Sequence, residues 1–208
     1  SLVIVKAEDP YEAVFKTSAM PQDKDAIFYS SPLATNRITS FTESGFTVVD
    51  TGVDNDSVNH LDTWYHWIAF KDNGMKDFYV GEYQGSGTGD RDITDVGFEP
   101  ALVVLKPDKD ATSVERPVWM TKSKLGNGQS MAFTNSEYNN ILNFSSTGFR
   151  VSTNVNENGI DYYYFAFKEI PGHFVQGTYL GDGTWDKEMQ KIGFKPDLLW
   201  NKGDTYPS

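Results

Sequence analysis

The sequence predicts an all-β chain of tandem β-sandwich modules, jelly-roll or Ig-like, and three observations carry that reading. Apolar and polar residues alternate along most of the chain, and no window shows a convincing helical period. Short apolar runs are separated by turns rich in Gly, Asn, Asp and Ser, at a spacing that suits roughly seven strands per hundred residues. The same pattern is also written twice, the signature of a repeat.

Three blocks recur. FYVGEYQGSGTGDRDITDVGFEPALVVLKPD (78–108) returns as FVQGTYLGDGTWDKEMQKIGFKPDLLWNKGD (174–204), ITSFTESGFTVVD (38–50) as ILNFSSTGFRVST (141–153), and DTWYHWIAFKD (62–72) as GIDYYYFAFKE (159–169). Leu2 to Leu102 is 100 residues, Phe46 to Phe149 is 103, Ala69 to Ala166 is 97 and Phe98 to Phe194 is 96. The copies therefore differ in length inside polar segments such as TGVDNDSVNHLD, where surface loops tolerate it. If a module begins at Gly-x-Tyr, residues 78–170 are one complete copy. Residues 1–75 are then a copy lacking its opening hairpin, and 173–208 open a third. A start at LVIVK instead gives units 2–101 and 102–197; the linkers 71–77 and 168–173 favour the first division. Ser1 reads as a cut from a longer chain, with targeting information outside it.

The strands follow from local patterns. LVIVK (2–6), ALVVLK (101–106) and DLLWNK (197–202) are continuous apolar runs of the kind found in central strands, and Pro100 and Pro196 precede two of them, where a missing N–H is harmless. Asn127-Gly128 signals a hairpin turn. Gly-Ser-Gly-Thr-Gly at 85–89 is read as a hairpin turn rather than a phosphate loop, since neither Lys nor helix follows it. An ordered LLWNK strand is expected to pair with the preceding sheet or with another chain.

Composition narrows the function. Fourteen Phe, eleven Tyr and five Trp supply core area, while a net charge of −11 without any basic run excludes a nucleic-acid surface. With no cysteine there is no disulfide, thiolate metal site or Cys nucleophile, and no segment is apolar enough for a membrane helix, so no membrane insertion is expected.

Gly81-Glu82-Tyr83 through Phe98-Glu99-Pro100, Val14-Phe15-Lys16-Thr17-Ser18-Ala19-Met20, Ser40-Phe41 through Val48, and Tyr65 through Lys71 together resemble a repeat of large secreted bacterial surface proteins, with related sequences in phage tail-fibre and virion-surface proteins. The resemblance covers nearly the whole chain. It departs where Ala101 stands against Asp197 and where Met120-Thr121-Lys122-Ser123 replaces Thr-Ser-x-Met. It implies a β-sandwich module, an extracellular, cell-surface or virion location, and neighbouring copies of the same module or chain as partners.

No catalytic constellation stands out, and an enzyme is not expected. His60, His66 and His173 lack metal-ligand spacing, and candidate carboxylates such as Glu82, Asp90, Asp92 and Glu115 are not repeated as pairs between copies. No cofactor is called for. Calcium is the metal that the oxygen-rich loops suit, through Asp50, Asp54 and Asp56 or through Asp182 and Asp186, against the alternative that these side chains cap turns. For glycans the candidate aromatic platform is Trp64, His66, Trp119, Tyr163 and Trp185, against packing in a core or between modules. The expected role is a non-enzymatic structural or adhesive segment of a surface or filament protein; a tail-fibre segment and a carbohydrate-binding module are the alternatives.

Overall fold

The computed structural model describes residues 1–8, 12–28, 32–50, 52, 57–71, 76–109, 117–123, 130–133, 137–190 and 192–203. The hairpin signal at Asn127-Gly128 lies outside them. Sixteen strands and short 3₁₀ turns, Thr153–Val155 among them, make up the regular structure of these residues.

The first module runs β1 (Leu2–Ala7), β2 (Val14–Thr17), β3 (Lys24–Ile27), β4 (Ala34–Thr35), β5 (Ile38–Phe41), β6 (Phe46–Val48) and β7 (Tyr65–Phe70). The second runs β8 (Phe78–Gln84), β9 (Arg91–Ile93), β10 (Leu102–Pro107), β11 (Val118–Thr121), β12 (Ser130–Ala132), β13 (Glu137–Tyr138), β14 (Ile141–Ser145), β15 (Gly148–Val151) and β16 (Asp161–Phe167). All pairings between strands are antiparallel.

The two modules share one topology. The first sheet is ordered β4-β3-β2-β1-β7 and the second β13-β12-β11-β10-β16-β8, so each strand of the first has its counterpart in place and only β8 is extra. The hairpin β5–β6 likewise matches β14–β15, with β9 added beside β15. Even the irregularities repeat. The register of β5–β6 shifts between Ile38 and Ser40, and that of β14–β15 between Ile141 and Asn143.

Each module has its own core. Val3, Val5, Val14, Ile38 and Val58 fill the first, under the β5–β6 hairpin, and Val103, Leu105, Phe149, Tyr162 and Tyr164 belong to the second. Strand alternation sends the intervening residues to the opposite face. Leu2 and Ile4 of β1, Leu102 and Val104 of β10, and Tyr163, Phe165 and Phe167 of β16 meet in a third apolar layer where the two large sheets pack face to face. That arrangement explains why ALVVL is continuously apolar: every residue of β10 is buried.

Two differences from the sequence reading have local causes. The opening segment is an arch and not a hairpin, because β8 joins the large sheet beside β16 while β9 crosses to pair with β15. DLLWNK forms no strand. Leu198 and Leu199 are exposed and only Trp200 finds rings, at Phe28 and Phe133. A strand needs a ladder partner for its backbone, and these residues make no bridge among the described residues.

A side-chain cap holds the same corner in both modules. Asp25 Oδ2 accepts the N–H groups of Arg37 (2.8 Å) and Ile38 (3.0 Å), as Ser130 Oγ accepts those of Asn140 (3.3 Å) and Ile141 (3.2 Å). In the first module Asp25 also pairs with the Arg37 Nε at 2.9 Å, with both residues buried. Replacing Asp25 by Ser preserves the cap but removes the carboxylate that pairs with the buried guanidinium, at an expected cost of about 3–5 kcal/mol in denaturant unfolding. The double variant Asp25→Ser/Arg37→Asn transplants the second module's own pair and should recover most of that loss; no recovery would show that the charge was not the cause.

Candidate functional site

The sequence-predicted residues that are described do not converge on one place. Tyr163 is buried in the layer between the sheets, where burial pushes its phenol up to about 12. Trp119 packs at the margin of the same layer, its buried indole N–H without an acceptor among the described residues. His66 lies exposed on β7, its Nε2 3.0 Å from Glu8 Oε1. Trp185 is fully exposed on the segment after β16.

Trp64 stands on the outer edge of the first sheet. Together with Trp67, which residue-by-residue reading passed over, it forms an exposed aromatic pair on that module; they are 76% and 64% exposed. The signal for Trp67 lay in the repeat. Its counterpart Tyr164 is buried, and the two rings make the same edge-on contact, Trp67 with Phe46 at 5.6 Å and Tyr164 with Phe149 at 5.0 Å. What differs is the cover. β8 lies beside β16, whereas β7 is the last strand of its sheet.

The acidic loops are engaged locally. Asp50 Oδ1 accepts the Gly52 N–H (2.9 Å) and the Ser57 hydroxyl (3.0 Å), bonds that hold its carboxyl below the usual range. Asp182 bonds Lys187 Nζ (2.6 Å), the Thr184 hydroxyl (2.7 Å) and the Thr184 N–H (3.1 Å), and is likewise held low, Lys187 first. Asp186 contributes its carbonyl to Thr184. Asp54 and Asp56 lie outside the described residues. Among the described residues no group of three or more His, Asp or Glu side chains is placed to hold a metal, and no helix is long and apolar enough to cross a membrane.

One buried charged residue is a feature that pattern reading missed. Lys106, the last residue but one of β10, is buried near Asp108 and Arg37. Asp108 Oδ1 accepts the Leu33 N–H of the other module at 2.9 Å. Burial lowers the Lys106 ammonium from 10.5 to about 7, with Arg37 acting in the same direction and Asp108 against it. No family model, curated protein or solved structure matches this chain.

A lysine whose folded pKa lies below its unfolded value disfavours the fold wherever the unfolded chain holds the extra proton. Stability should therefore rise as pH climbs from about 7 toward 10.5, and level off below 7. Above that window the buried tyrosines Tyr83, Tyr163 and Tyr164, all raised, reverse the trend as the unfolded chain ionises first. Urea midpoints between pH 7.5 and 9.5 should increase, and Lys106→Met should flatten the profile. An unchanged slope in that variant would remove Lys106 as its source.

Proposed function

We propose that this chain is a non-enzymatic structural and adhesive repeat segment of an extracellular surface or filament protein. The observation that carries the reading is the apolar junction between two modules of like topology, which uses the outer faces of both large sheets. Residues that a binding cleft would need, such as Tyr163 and Val104, are spent on joining one unit to the next. Modules that bury these faces against each other form a stiff two-module unit without chemistry, and such units arrayed along a chain give reach. The acidic surface, with a net charge of −11, keeps such a segment soluble.

A second reading, carbohydrate binding, is favoured by exposed Trp64 and Trp67, since flat aromatic faces are what sugar rings stack on. A glycan array separates the two. The expected result is no saccharide-dependent retention of the chain. Retention that disappears in both Trp64→Ala and Trp67→Ala would move the assignment to a carbohydrate-binding module.

A further inference from the structure

The open edge of the first module has a specific occupant. Along β8 the pairs are Phe78 with Phe167, Gly81 with Tyr164, Tyr83 with Tyr162 and Gln84 with Asp161. Residues 174–189 repeat the β8–β9 sequence at a constant offset but form no strand, and Leu180 and Trp185 are exposed. We propose that residues 174–189 are the edge strands of the first module, added beside β7 and β6 within the same molecule. The corresponding register sets Phe174 against Phe70, Gly177 against Trp67, Tyr179 against Tyr65 and Leu180 against Trp64.

Four observations carry this. First, glycines persist where the present contacts give them no reason. A Cβ on Gly81 would collide with Tyr164, one on Gly85 with the Glu157 carbonyl, and one on Gly148 with the Ile93 carbonyl. Their counterparts Gly177 and Gly181 meet nothing within 4 Å, and Gly45 has only Thr42 Oγ1 at 3.8 Å. Each is the residue required if donor and acceptor join.

Second, the donor already holds the arch. Arg91 donates to the Gln84 carbonyl (2.6 Å), and Lys187 donates to that of Leu180 (2.8 Å). Gly87 and Gly183 share a left-handed φ, +71° and +73°. Preorganisation of this kind lowers the ordering cost of docking.

Third, the acceptor keeps its anchors. Asn156, buried, grips the arch through Ser86, Thr88 and Gly89, while its counterpart Asn59 is exposed. Tyr83 stacks on Tyr162 at 4.9 Å and donates to the Val155 carbonyl at 2.6 Å; Tyr65 and Val58 stand ready for Tyr179 in the same way. The polar pair Gln84–Asp161 is replaced by Leu180 and Trp64, two exposed apolar side chains that cover each other once paired.

Fourth, the geometry favours the same molecule over a second one. Equivalent residues touch each other across the junction, Phe28 with Phe133 at 4.8 Å and Phe70 with Phe167 at 4.9 Å, which is the mark of an approximate two-fold relation. Phe78 follows the first module and lies on both Phe70 (5.8 Å) and Phe167 (4.8 Å). Its counterpart Phe174 already stacks on Phe167 at 5.2 Å, so a short shift brings it to Phe70. A tether of the few residues 168–173 gives a high effective concentration, which a separate chain must match by mass action.

The test uses the absence of native cysteine. Thr178→Cys/His66→Cys places thiols at opposed positions of the proposed ladder, and Gln84→Cys/Asp161→Cys does so in the ladder between β8 and β16. All four residues are exposed, so the reduced variants should fold. On mild oxidation both variants should lose their free thiols and remain monomeric. Persisting thiols in the first variant overturn the proposal, and a disulfide-linked dimer gives the edge to a second copy and overturns it equally. Gly177→Val supplies a second readout. It should speed amide exchange along β7 about tenfold, because the paired state is blocked; it should do nothing if residues 174–180 stay open.

Discussion

The face-to-face packing of the two large sheets is the constraint on which the rest depends. Leu2, Ile4 and Phe15 from one side and Leu102, Val104 and Phe165 from the other remove the outer face of each sandwich from water. Without it, both sheets would expose apolar strips along their centres, and a module of this size has a modest core of its own. The requirement reaches down to single positions. β10 must be apolar on both faces, and β16 must carry aromatics on both faces, Tyr162 and Tyr164 inward, Tyr163 and Phe165 outward.

Polar groups caught near this junction are organised accordingly. Asp25 answers Arg37, Asp108 reaches across to Leu33, and Lys106 is driven toward its neutral form by burial. The second module solves the same corner with Ser130 and Asn140 and no charge. The pair Asp25–Arg37 is therefore a variant of a backbone cap, with an ion pair laid over it.

Much of this could be read from the chain. Strand positions followed from spacings that persist while loops change length, because a ladder fixes register and a surface loop does not. The assignment of faces was harder. WYHWIAF and YYYFAF are aromatic on both sides, and alternation alone gives two faces without saying which of them water touches. The Gly-Ser-Gly-Thr-Gly reversal illustrates a second gap: its glycines specify a turn, but whether the next strand returns to the same sheet depends on β15, more than fifty residues away. DLLWNK shows a third, since an apolar run becomes a strand only where an edge receives it. The acidic loops suit calcium or turn capping by composition, and the local bonds of Asp50 and Asp182 show the capping that the sequence also offered.

The most direct test of the account is a double-mutant cycle across the junction, pairing Phe15→Ala with Phe165→Ala, whose rings lie 5.7 Å apart edge to face. Packed as described, the two losses should fall short of additive by about 0.5–1.5 kcal/mol in denaturant unfolding. Strict additivity would place the rings out of contact and separate the two sheets.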